Sequence, residues 1–205
     1  VKVKSGDDWR DCLRDSVEQL NRLQAEANRL HANTARYVRP ILLVQVERTG
    51  KEQREAGLIH ADNAREFLLT MGLSEREIAI KTSEINDLTS PENIDLMSPS
   101  CPVRVIVTKQ ALQEGWDCPF AYILCTLSAS RNMNAMTQLI GRILRQPDTE
   151  KTKMPLLDEC YVFCQHAETG EVIAGIKKGL EGDGMADLAE QIKEIGVDSG
   201  DAPPK

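Results

Sequence analysis

Apolar positions in this chain recur at two spacings, and the spacings alternate. Trp9, Leu13, Val17, Leu20, Leu23, Ala27 and Leu30 repeat at helical spacing, which predicts a helix to about Ala32. Asp7 or Asp8 can cap its start. The stripe is too short for a coiled-coil seam and reads as core packing. After Pro40, Ile41–Val46 is an unbroken apolar run and predicts a buried strand. Ala61–Met71 reads as a helix, with Ala64, Phe67, Leu68 and Met71 on one side, Gly72 in the stopping position and His60 as a capping or surface residue. Glu77–Lys81 is a short strand with Ile78 and Ile80 inward, and Pro91–Met97 one or two helical turns. Val103–Val107, Ala121–Leu127 and Asp158–Cys164 are further strands. Helices are expected over Lys109–Glu114, Asn132–Leu144, Gly170–Leu180 and Met185–Ile195. The alternating Val1–Lys4 reads as the last strand of something upstream. Strand–helix alternation predicts a three-layer α/β/α sandwich with a mainly parallel sheet.

Composition sharpens this. Aromatic residues make up only 4% of the 205 residues, so the core must be aliphatic, as in a parallel sheet covered on both faces. The net charge of -7 argues against a surface that binds DNA everywhere, though a local cationic edge fits within it. No apolar run reaches the ~20 residues of a membrane span, and no signal-peptide layout is present. The expected location is the cytoplasm, without a membrane partner. The chain opens on Val1 rather than Met and is expected to be a piece of a longer protein. Its six cysteines include no C-x-x-C pair, so neither a zinc site nor disulfides are expected. Cys125 and Cys160 lie in apolar runs, where a free thiol acts as a small hydrophobe.

Two stretches carry candidate chemistry. In QLIGRILR, Gln138, Arg142 and Arg145 fall within an arc of roughly 60° on a helix, while Met136, Leu139, Ile140, Ile143 and Leu144 take the other faces. Two guanidiniums three residues apart offer a forked, permanently charged surface suited to polyphosphate or a nucleic-acid backbone. Gly141 beside them permits close approach. Upstream, the β-branched run ending at Thr108 feeds a segment that breaks at Gly115-Trp116-Asp117. Gly115 lets the backbone turn, and Asp117 can accept from a ribose hydroxyl or orient the arginines. The bland alternatives are a solvated helix face and a tryptophan-anchored turn. Arg48 and Lys51 follow the 41–46 strand at its carboxyl end, where ligands collect in open α/β sheets, or form a plain solvated loop.

These residues carry a family resemblance. Gln138, Gly141, Arg142 and Arg145 resemble motif VI of superfamily 2 helicases, and Thr108, Gly115 and Asp117 resemble motif V. By order, Ile41–Val46 matches motif IV. The wording EGWDCP and QLIGRILRQP is most similar to the helicase subunit of type III restriction enzymes and its DEAD/DEAH-like relatives. The resemblance runs from about Ile41 to about Leu188. It implies the second of two RecA-like motor domains of an ATP-dependent DNA helicase or translocase in a restriction or phage-defence system. The domain would span 40–196, after a helix and linker at 1–39 that join an upstream motor domain, with a disordered tail at 197–205. Arg142 and Arg145 would be arginine fingers, and Gln138 would couple the nucleotide to the neighbouring loop. Gly115, Asp117 and Gly141 would lie at the nucleotide, and Thr108 or Lys109 would meet a DNA phosphate. ATP and Mg²⁺ would be held mainly by the missing first domain and not tightly by this chain. A methyltransferase (modification) subunit would be a further partner.

Other chemistries fit poorly. Pro147-Asp148-Thr149-Glu150-Lys151 has the letters of a metal-dependent nuclease without the spacing, and the three histidines have no ordered nucleophile nearby. No G-x-x-x-x-G-K-[ST] pattern occurs, so the chain has no phosphate-binding loop of that type. Two other readings stay open: a binding or regulatory module that keeps a degenerate RecA-like fold without motor activity, and a stand-alone nucleotide-binding α/β enzyme.

Overall fold

A computed structural model describes residues 2–46, 59–109, 120–127, 151–165, 169–182, 189 and 192–195. Seven strands form one sheet in the order β3-β4-β2-β5-β6-β1-β7. They are β1 (Lys2–Gly6), β2 (Ile41–Gln45), β3 (Ile78–Lys81), β4 (Val105–Thr108), β5 (Ala121–Thr126), β6 (Tyr161–Gln165) and β7 (Lys193–Glu194). Every pairing is parallel. Burial is continuous along β4, β5 and β6, as in a sheet covered on both faces.

Helix α1 (Trp9–Thr34) opens on Asp8, whose carboxylate accepts from the Arg10 N–H at 2.7 Å. Its stripe from Leu13 to Leu30 is buried in the core. It shares a face with α2 (Ala61–Thr70), since Trp9 meets Phe67 edge-on at 5.4 Å. Right-handed crossovers place α3 (Thr169–Gly182) on the other face, because β1 to β2 and β6 to β7 run in opposite directions along the sheet. α2 starts at His60, whose N–H donates to Asn63 Oδ1 at 3.1 Å, and stops at Gly72, where φ is 90°.

Three expectations change. Val1–Lys4 is not the end of another unit: Lys2–Gly6 pairs along its whole length with β6. Residues 2–34, expected as a helix ahead of the domain, thus supply a strand and the longest described helix to the same core. Of the one or two helical turns expected over Pro91–Met97, a single turn forms, closed by the Ile94 N–H on the Ser90 carbonyl at 3.0 Å, and a tighter turn precedes it at Asp87–Thr89. Lys193–Glu194, expected in a final helix, is extended, because Ile195 N–H finds the Val3 carbonyl at 2.7 Å.

The β3 edge is sealed. Its outward donors at Ile78, Ile80 and Thr82 go to Glu75 O, Asp87 Oδ2 (2.8 Å) and Ile85 O (2.7 Å), so these three N–H groups are not available to another strand. At the amino edge, Arg39 is 5% exposed and donates to the carbonyls of Leu96, Ser98 and Cys101. This clamp ties the entry to β2 to the entry to β4. Arg39→Met should cost about 2–4 kcal/mol in urea denaturation, because three carbonyls lose a charged donor. Arg39→Lys should recover less than half, since an ammonium lacks the fork.

Candidate functional site

Each of the five strands β2 to β6 is apolar until its last residue, which is polar: ILLVQ, IAIK, VIVT, AYILCT and YVFCQ. Parallel register turns four of these ends into a row. Lys81 pairs with Thr108, Thr108 with Gln45, and Gln45 with Thr126. Partners in register share a face, and successive residues alternate. Lys4 bonds Asp15 of α1 at 2.8 Å, and a Cβ on Gly6 would meet Cys12 Sγ of α1 at 3.2 Å, so both face α1. Phe163 is in register with Lys4, and Cys125 with Phe163. Thr126, and with it Gln45, Thr108 and Lys81, therefore projects from the opposite face.

The row sits where connections diverge. The chain leaves β2 toward α2 on the α1 face, while its neighbours β4 and β5 lead to strands in the opposite direction along the sheet. Ligands of open α/β sheets collect at the carboxyl ends beside such a switch. The segments carrying most of the sequence candidates leave from this edge: 47–58 after Val46, 110–119 after Lys109 and 128–150 after Leu127. Thr108 is buried at the end of β4 and Lys109 is half-buried beside it. Both have interaction partners. Gly115, Asp117, Gln138, Gly141, Arg142 and Arg145 lie outside the described residues, as do Arg48 and Lys51. Gln45, Lys81 and Thr126 escaped the sequence reading, although the recurrent polar strand terminus was there to be seen.

The described donors are an ammonium, two hydroxyls and an amide. This set suits phosphate oxygens rather than a divalent cation, which takes carboxylates. Among the described residues no three His, Cys, Asp or Glu side chains come together as a metal site, and no described helix is long and apolar enough to cross a membrane.

Thiol chemistry is suppressed at Cys12, Cys125 and Cys164. Burial, with Asp15 and Asp11 nearby, pushes the Cys12 thiol up to about 11. Burial pushes Cys164 up to about 12 and Cys125 well up too. Protonated thiols are poor nucleophiles and ligands. Burial also works to raise the Glu77 carboxyl, but hydrogen bonds from the Ser74 N–H and hydroxyl, then from Arg104, prevail and hold it below its usual range.

No family model matches the chain. Sequence comparison gives a local likeness instead. Over 67 residues the chain is 37% identical to the Res subunit of the type III restriction-modification enzyme EcoPI of Escherichia phage P1, and to that of EcoP15I of Escherichia coli. The chain is similar to type III Res subunits there. The match takes in 33% of this chain and only 7% of each subunit. Among solved structures, the C-terminal domain of a variant of S. cerevisiae Dbp5, bound to a Gle1 variant and IP6, aligns with a TM-score of 0.48 and 13% identity, over 93% of this chain and 96% of that one.

The thiols bear on stability. Cys12, Cys125 and Cys164 hold their protons more tightly than the unfolded chain, whose thiols ionise near 9. Their contribution is therefore complete below about pH 9 and is lost as the pH rises toward 11–12. The melting temperature should fall across that window, and Cys164→Ala should show a shallower fall.

Proposed function

We propose that this chain is the second RecA-like domain of an ATP-dependent DNA helicase or translocase, in a type III restriction or phage-defence system. One observation carries the reading: a row of phosphate-compatible side chains at the carboxyl edge, from which the segments holding Gly115, Asp117, Gln138, Arg142 and Arg145 depart. The local likeness to Res subunits supports it. Thr108 and Lys109 are proposed to meet DNA phosphates, and Gly115, Asp117 and Gly141 to lie at the nucleotide.

ATP and Mg²⁺ would be held mainly by another domain of the full-length protein, with the ion neutralising charge on the phosphates. Arg142 and Arg145 would add positive charge at the γ-phosphate, where phosphoryl transfer concentrates negative charge. Gln138, four residues before Arg142, would tie that segment to the nucleotide. The first motor domain, DNA and a modification subunit are the proposed partners.

Purified alone, the chain should not hydrolyse ATP appreciably, because arginines without a phosphate cradle make no site. In the full-length protein, Arg145→Ala or Arg142→Ala should cut turnover by ~10³–10⁵ and leave the melting temperature unchanged. A lowered melting temperature with turnover spared would make these arginines structural. Robust turnover by the chain alone would favour the stand-alone nucleotide-binding enzyme.

DNA binding by the chain alone should be weak. With net charge -7 it can neutralise only a few phosphates, each worth a slope of about -0.9 in log K against log salt. Titrating labelled DNA at about 50 and 200 mM salt should give a shallow dependence and a Kd near ~10⁻⁴ M. Tight, steeply salt-dependent binding would favour a non-motor nucleic-acid-binding module instead.

A further inference from the structure

The four members of the polar row are not equally accessible. Thr108 and Thr126 are buried, at 3% and 4% exposure, whereas Gln45 and Lys81 are half-buried. Lys81 is the row's one cation, and it ends the outermost strand beside Thr108. Elsewhere cations are spent on carboxylates: Lys2, Lys4, Arg65, Arg76 and Arg104 each have an acidic partner within 3.5 Å. Among the described residues no carboxylate forms an ion pair with the Lys81 ammonium.

The Lys81 backbone is held on both sides. It pairs with Thr108 of β4 on one side and bridges Asn86 on the other. The turn between closes with the Thr82 N–H on the Ile85 carbonyl at 2.7 Å, and Thr82 Oγ1 accepts the N–H groups of Glu84 at 3.2 Å and Ile85 at 3.0 Å. Of the turn's two carboxylates, Asp87 is committed to the Ile80 N–H and Glu84 is exposed. An ammonium on a fixed strand end gives up only its own side-chain freedom when it meets an anion.

Position selects the anion. Strands lie about 4.8 Å apart, which sets β3 three spacings, roughly 14 Å, from β5. The segment holding Gln138, Arg142 and Arg145 departs after β5, at the far end of the row. Lys81 is only one spacing from Thr108, which with Lys109 is proposed to meet DNA phosphates. A point charge without a fork suits a phosphate oxygen and reads no base.

We infer that Lys81 grips a DNA backbone phosphate and carries the contact at Thr108 and Lys109 out onto the edge strand. The inference rests on the motor reading and adds a residue that belongs to neither helicase-like motif of the chain.

The test compares Lys81→Gln and Lys81→Arg in the full-length protein, with Lys178→Gln on the exposed side of α3 as a charge-matched control. Labelled duplex DNA of two unrelated sequences is titrated between about 50 and 200 mM salt. Lys81→Gln should bind several-fold more weakly, and its slope of log K against log salt should be shallower by about 0.9, one phosphate. The loss should be equal on both sequences. Lys81→Arg and Lys178→Gln should keep the parent's slope. A partly unfolded sample would lower the amount bound without changing the slope, so a folding defect cannot imitate the result. The proposal is overturned by an unchanged slope in Lys81→Gln, by a loss confined to one sequence, or by a loss of slope as large in Lys178→Gln. A raised KM for ATP with the DNA slope unchanged also overturns it and gives the ammonium to the nucleotide. A parent that binds no DNA overturns the motor reading as well, whereas a parent that binds DNA with Lys81→Gln unchanged overturns this inference alone.

Discussion

Parallel register is the constraint on which this structure depends. Parallel strands cannot be joined by tight turns, so each connection must cross a face of the sheet and every strand ends on the same edge. Polar residues that are scattered in sequence at 45, 81, 108 and 126 therefore become neighbours. A one-residue slip of any of these four strands would turn its last side chain to the α1 face. The buried apolar residues of each strand thus fix where the polar end points, and the core sets the geometry of the edge.

The sheet is also closed by its earliest residues. β1 lies between β6 and β7, so the first strand pairs with strands formed more than 150 residues later. α1 can lie close above this joint because Gly6 and Cys12 are small: a Cβ on Gly6 would reach Cys12 Sγ at 3.2 Å, and the same thiol bonds the Cys164 carbonyl at 3.3 Å. Here cysteine serves as a compact apolar residue with a weak donor, consistent with thiols that stay protonated.

Much of this was legible in the sequence, and the failures share a cause. Ile41–Val46, Ala121–Leu127 and the stripe from Leu13 to Leu30 were readable because burial on one or both faces leaves an unmistakable apolar pattern. The place of Lys2–Lys4 in this sheet and the extended Lys193–Glu194 were misread because strand pairing is decided by distant backbone partners, which leave no local signal. Thr108 was named as a candidate through its motif resemblance, whereas Gln45, Lys81 and Thr126 belong to no motif. They become a group only once strand order is known, since nothing in the chain says that β4 lies between β3 and β2. The residues bearing most of the proposed chemistry, from Gly115 to Arg145, rest on the sequence pattern and its likeness to Res subunits.

The two edges of the sheet divide the work. At the amino edge polar side chains are spent on one another: Arg39 on three carbonyls, Arg104 on Glu77 and Asn21 at 3.2 and 2.9 Å, Lys2 on Glu159 at 2.9 Å, and Asp158 on the Thr152 N–H and hydroxyl at 2.6 and 2.7 Å. These bonds hold strand entries in place. The carboxyl edge instead carries a row of polar side chains, Lys81, Thr108, Gln45 and Thr126, each at the end of a strand whose apolar body is buried. A group fixed by a rigid strand and ending at a loop needs little reorganisation to meet a ligand, which is what placing phosphate oxygens demands. The polarity of the strands thus sets the amino-edge residues that tie strand entries together apart from the row of polar strand ends.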